Sequence, residues 1–129
     1  MPVLLDTSVA IALLDGAPSV IERRRDEDEP AFLSMISWVE LIPGVYSDKK
    51  LNRGRGEFLA AFLEQVEVLP FAEPEVDAYE RIIAANGYSR RLVVDRMIAA
   101  TALANDLSLA TLNPRDVRNI PGLAVEDWS

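Results

Sequence analysis

The chain has 129 residues, a formal net charge of −8 and neither cysteine nor histidine. That length fits one domain over 1–129, able to bury roughly two thirds of the surface its unfolded chain exposes. The inventory excludes disulfides, thiolate zinc sites, cysteine nucleophiles and any triad or general-base chemistry that runs through histidine.

The acidity argues against polyanion binding over the whole surface. It is uneven, however. Glu64, Glu67, Glu73, Glu75, Asp77 and Glu80 follow one another without a cation, whereas Asp48 to Arg55 carries Lys49, Lys50, Arg53 and Arg55, a local basic stretch. No run reaches the roughly 18–20 apolar residues that cross a bilayer, and the amino terminus lacks a basic region followed by an apolar core. A cytoplasmic protein with no membrane partner is expected.

In chain order, Pro2 to Leu5 is a continuously apolar run that suits a strand buried on both faces of a parallel sheet. Thr7 and Ser8 can cap a helix over Val9–Leu14 that ends near Asp15-Gly16. The charge run ERRRDEDE at 22–29, closed by Pro30, reads as a solvated helix end or loop. Ala31 to Met35 reads as the second strand. Ser37 and Glu40 stand at capping-box spacing, which predicts a helix from Trp38, kinked or shortened by Pro43.

Further on, Phe58, Leu59, Phe62, Leu63 and Val66 recur at helical spacing, and Val66 to Phe71 reads as a third strand. Pro74 opens a helix with the face Val76, Tyr79, Ile82 and Ile83, stopped by Asn86-Gly87. The next helix runs from Leu92 to Leu107, and its Ala99, Ala100, Ala102 and Ala104 permit close packing on a sheet. Ser108–Leu112 and Leu123–Val125 are the last strands, parted by the turn-rich NPRDVRNIPG. Alternating strands and helices predict a three-layer α/β/α domain with a mainly parallel sheet.

Three acids punctuate this order, each read as lying where an apolar strand gives way to a helix: Asp6 in VLLDTS, Glu40 in SMISWVEL and Asp95 in LVVDRMIAATA. A parallel sheet gathers such positions at its carboxyl edge, where open α/β sheets place their ligands. Taken singly, Asp6 also suits an N-cap, Glu40 a capping box and Asp95 the first turn of a helix. Caps do not require carboxylates, though, and three ionised groups at one edge repel one another unless a cation joins them. With oxygen ligands alone, that cation is Mg²⁺ or Mn²⁺ rather than Zn²⁺. A fourth group, Thr111, Asn113 and Asp116, follows the next strand, where a turn before Pro114 explains it as well.

The succession LLDTS, Glu40-Leu41-Ile42-Pro43-Gly44, Asp95 to Leu103 as D-x-x-IAATAL, and Thr111 to Asp116 as T-x-N-x-x-D resembles the PIN-domain family. The closing Ile120–Trp128 resembles its VapC toxin branch. The resemblance spans nearly the whole chain, and it implies a five-stranded sheet of order 3-2-1-4-5, Mg²⁺- or Mn²⁺-dependent endoribonuclease activity, and a homodimer restrained by a cognate VapB-type antitoxin. Asp6 and Asp95 are then expected to bind the metal directly. Glu40 and Asp116 would act through water, complete a second site or orient the nucleophile. Thr7, Ser8, Thr111 and Asn113 are candidates for supporting hydrogen bonds or phosphate contacts. Arg90, Arg91, Arg96, Arg115 and Arg118 are candidates for RNA phosphates.

Three residues depart from the family's pattern without removing a ligand: Pro43 within the helix, Leu112 where an arginine is common, and Val117 where an aromatic is customary. A silent PIN-like binding module with the same acids as mere caps is the competing class. A receiver-type phosphoacceptor is disfavoured, since neither paired acids at the first strand nor a lysine after the last strand is found.

Overall fold

The computed structural model describes residues 2–46 and 52–129, with the side chains of Asn52 and Arg53 excepted, so Asp48, Lys49 and Lys50 of the basic stretch lie outside it. Five strands, β1 (Val3–Leu5), β2 (Ala31–Ser34), β3 (Glu67–Leu69), β4 (Ser108–Thr111) and β5 (Val125–Asp127), pair in parallel in the order β3-β2-β1-β4-β5. The helices are α1 (Thr7–Leu14), α2 (Pro18–Arg25), α3 (Met35–Tyr46), α4 (Asn52–Glu64), α5 (Glu73–Asn86) and α6 (Val93–Ala104). Single 3-10 turns cover Arg90–Leu92 and Pro114–Val117.

Alternation along β1 divides the core. Val3 and Leu5 point to one face, where Val9, Ala10, Val20, Leu41 and Leu59 from the first four helices meet Trp128. Leu4 points to the other, against Leu109, Ile82, Ile98 and the alanines of α6. Ala99, Ala100 and Ala102 are fully buried, and their small side chains let α5 and α6 pack tightly over the sheet. The central strand is therefore apolar on both sides, as a parallel strand between two helical layers must be.

Several elements differ from expectation for identifiable reasons. The charge run at 22–29 is preceded by a helix, α2, started by Pro18 and anchored by the single buried Val20. Strand β2 ends at Ser34, and α3 begins at Met35 rather than Trp38 because the Ser34 hydroxyl accepts the Ile36 N–H at 3.1 Å. The expected Ser37–Glu40 capping box is thus displaced into the body of the helix. Pro43 does not end α3, which continues to Tyr46; the proline only withholds one N–H from the carbonyl a turn earlier.

Helix α5 turns Glu75, Ala78 and Ile82 inward, leaving Val76 exposed, because the Glu75 carboxylate accepts the Ala72 N–H at 2.8 Å and a bond from Asn105 at 3.3 Å. Gly87 ends that helix at φ +80°, as the sequence indicated. Strand β3 is shorter than expected, α6 stops at Ala104, and β5 pairs through Val125–Asp127 because Leu123 is still in the preceding turn.

Leu4 is wholly buried at the meeting of β1, β4 and the α5–α6 layer. Leu4→Ala is expected to cost about 3–4 kcal/mol, as large-to-small changes in close-packed cores do, measured as a lowered urea midpoint with an unchanged slope.

Candidate active site

Asp6 follows the central strand directly. Its N–H donates to the Ala110 carbonyl at 2.9 Å, which carries the β1–β4 pairing one residue further, and its side chain then caps α1 by accepting the Thr7 N–H at 2.9 Å. The other carboxylate oxygen accepts from Thr111 Oγ1 at 2.6 Å and Ser8 Oγ at 3.1 Å. Ser8 in turn accepts the Leu112 N–H, and Thr111 accepts the Asn113 N–H. Three donors from β4 and α1 therefore fix the plane of a carboxylate that is only 8% exposed.

Glu40 lies in the second turn of α3, not at a strand end, and its side chain reaches back to the same corner. Thr7 Oγ1 stands 2.6 Å from Glu40 Oε1 and 2.8 Å from Ser37 Oγ. A threonine has one hydroxyl proton, which the carboxylate, an acceptor only, takes; the Ser37 contact is then made with the serine's own proton. Ser37 is a residue whose part sequence reasoning missed. Its spacing from Glu40 was legible, but the same three-residue interval that builds a capping box also puts both side chains on one helix face toward a tertiary partner.

Asp95 sits in the first turn of α6, preceded by the 3-10 turn Arg90–Leu92 rather than by a strand. Burial is the main reason its carboxyl is pushed up to about 6, followed by the charges of Asp6, Asp116 and Glu40, with Arg91 acting in the opposite sense. Four acids from four parts of the chain thus share one electrostatic neighbourhood. Asp116, in the 3-10 turn Pro114–Val117, is approached by Arg91 Nη1 at 3.4 Å.

The supporting residues divide clearly. Thr7, Ser8 and Thr111 donate to the acids, whereas Asn113 contributes its backbone N–H and lines a polar pocket of about 400 Å³ with Arg115, Asp116 and Arg118. Arg90, Arg91, Arg115 and Arg118 are exposed around this edge. Arg96 does not join them. It is 7% exposed and donates to the Gly87 carbonyl at 2.6 Å, so its guanidinium serves the end of α5 instead of facing a phosphate.

Among the described residues, no three carboxylates form a ready-made ligand group; the four share a field without sharing a point. The donor set nevertheless fits a hard divalent cation, because the groups are oxygen donors and the raised Asp95 marks negative charge that such an ion offsets.

A parallel 3-2-1-4-5 sheet with acids sharing one field beside its carboxyl edge defines a three-layer α/β/α class with an acidic site. The family model of the PIN domain matches residues 3–123. Ribonuclease VapC1 of Rickettsia felis is 37% identical over 132 aligned residues, covering 97% of this chain and 95% of that one. The tRNA(fMet)-specific endonuclease VapC of Shigella flexneri is 26% identical, over 98% of this chain and 97% of its own. The crystal structure of DNA-bound VapBC from Salmonella typhimurium superposes with a TM-score of 0.87 at 25% identity, covering 100% and 99% of the two chains. The chain belongs to the PIN domain family, and within it to the VapC ribonucleases.

The Asp95 shift makes a prediction about stability. The folded carboxyl near 6 holds a proton that the unfolded one, near 3.8, has released, so this contribution is full below about pH 4 and is lost as pH rises to about 6. In EDTA at pH 7, Asp95→Asn is therefore expected to melt above wild type by a few degrees, about 1 kcal/mol once solvent screening of a half-exposed group is allowed for. Thermal melts across pH 4–7 check this: the gap should close at the acid end.

Proposed function

We propose that the chain is a Mg²⁺- or Mn²⁺-dependent endoribonuclease, the toxin of a VapBC-type pair acting in the cytoplasm. The observation that carries the reading is the field of Asp6, Glu40 and Asp116 converging on Asp95 at the carboxyl edge of the sheet. Likeness to the ribonucleases VapC1 and VapC supplies the reaction, and likeness to VapBC supplies the partner.

Asp6 and Asp95 are assigned to hold the ion, with Glu40 and Asp116 acting through water or at a second position. When bound, a divalent cation supplies a water of lowered pKa and offsets charge on the phosphate. Thr111 and Ser8 keep Asp6 aimed, and Thr7 and Ser37 keep Glu40 beside it. Arg90, Arg91, Arg115 and Arg118 form a cationic rim for phosphates on a chain that is otherwise acidic. In-line attack by water leaves a 5′-phosphate and a 3′-hydroxyl, with no part for the RNA 2′-oxygen.

The antitoxin has a fitting place. A groove of about 590 Å³ between α1, α3 and α4, lined by Ile11, Leu14, Leu41, Val45 and Phe58, opens beside Glu40. A partner helix laid there would bring a basic side chain to the carboxylates, displacing cation or substrate. Helix α3 also exposes Met35, Val39, Ile42 and Tyr46 along a single stripe away from the core, and this face is assigned to the homodimer. Val39→Asp is expected to convert the dimer to monomer without loss of helicity, checked by light scattering and circular dichroism; a dimer that survives it places the contact elsewhere.

The deciding experiment for the activity is cleavage of total RNA by antitoxin-free protein with Mn²⁺ or Mg²⁺, with EDTA and Asp6→Asn as controls and the new ends sequenced. Metal-dependent 5′-phosphate ends that fall at least 100-fold in the variant are expected. No cleavage by a folded protein would transfer the reading to a binding module that acts only through its partner.

A further inference from the structure

Among the described residues, one ion pair lies at the acidic edge, and it joins two elements that are distant in sequence. Arg91 stands in the 3-10 turn before α6 and Asp116 in the turn after β4, 3.4 Å apart, with side-chain exposures of 74% and 30%. Arg91 also bears on Asp95, where it alone among the named charges opposes the push of the other acids. It thus sets its positive charge against Asp116 directly, while at Asp95 it is the smallest of the named influences. Its own side chain lies mostly in water. Its neighbour Arg90 is exposed as well but makes no ion pair among the described residues.

We propose that Arg91 is a built-in competitor for the divalent cation: it pairs with Asp116 until metal takes that carboxylate, and the freed guanidinium then turns to an RNA phosphate at the same edge. This rests on the metal reading of the site and deepens it, since it makes cation and RNA bind cooperatively. An ion loaded at the acids releases a phosphate-binding arginine, and a phosphate that draws Arg91 away opens Asp116 to the ion, so by linkage each must favour the other equally. An exposed pair such as this is weak. Weakness suits the role, because a strong pair would shut the site.

The test is isothermal calorimetry of Mn²⁺ binding to the whole protein, in the absence of RNA, for wild type, Arg91→Gln, Arg90→Gln, Asp116→Asn and the Arg91→Gln/Asp116→Asn pair. High exposure of Arg91 makes its replacement harmless to folding. Arg91→Gln is expected to bind Mn²⁺ about two- to fivefold more tightly than wild type, Arg90→Gln to match wild type, and the Arg91 effect to vanish in the Asp116→Asn background. Equal affinity of wild type and Arg91→Gln overturns the competitor. So does a gain that persists without Asp116, which would be general charge and not this pair. If no variant binds Mn²⁺ at all, the metal reading itself fails, an outcome distinct from a wild type that binds and an Arg91→Gln that binds no better.

Discussion

The constraint on which this structure depends is the mutual repulsion of carboxylates at one sheet edge. Four acids crowd a partly buried corner at a cost, and three of them are tied by a group from elsewhere in the chain. Thr111 from β4 holds Asp6, Thr7 from the start of α1 holds Glu40, and Arg91 from before α6 holds Asp116. The ties run across sequence separations of 105, 33 and 25 residues, so they form only when β1, β4, α3 and α6 are in place together. Asp95 has no such donor among the described contacts, and it is the acid on which the cost of assembly falls.

That arrangement explains why the sheet is legible in the sequence to the extent it is. A three-residue strand such as Val3–Leu5 is read with confidence because burial on both faces leaves no polar position to blur it, and because an acid closes it abruptly. Asp6 and Asp95 were visible because each interrupts an apolar stretch, whereas Asp116, in the polar turn after β4, was visible only through its spacing from Thr111 and Asn113. Thr7, Ser8 and Thr111 were visible only as neighbours of those acids, since a hydroxyl at a helix start or strand end has many bland explanations.

What was not legible is tertiary. The interval Ser37-x-x-Glu40 serves a capping box and a common helical face equally well, and only the position of Thr7, thirty residues away in sequence from Ser37, decides between them. Ser34, one turn earlier, took the capping role instead. Helix α2 was obscured because a single valine anchors it and its last turn is entirely arginine, so almost no periodicity remains to be read. In α5 a buried Glu75 rotated the inward face away from Val76, the reverse of what hydropathy favours, because its carboxylate satisfies a backbone N–H and an asparagine at once. Arg96 was grouped with the phosphate-facing arginines on proximity in sequence alone; one step along a helix turns a side chain by 100°, enough to aim it at the end of α5.

The same physics links stability to function at this edge. A site that binds a cation tightly must present negative charge that the protein alone cannot comfortably keep, so strain in the protein and affinity for the ion are two descriptions of one interaction energy. Removing a carboxylate relieves the first and abolishes the second. Neutralising the cluster permanently with several arginines would give a more stable and inert fold. The chain instead places one exposed arginine at Asp116 and leaves Asp95, half-buried and facing three others, without a donor among the described residues. In a PIN domain whose charge is otherwise strongly negative, that local imbalance is the physical ground on which the proposed divalent ion rests: hydrogen bonds hold Asp6 and Glu40 in place, while the charge on Asp95 is left for something else to offset.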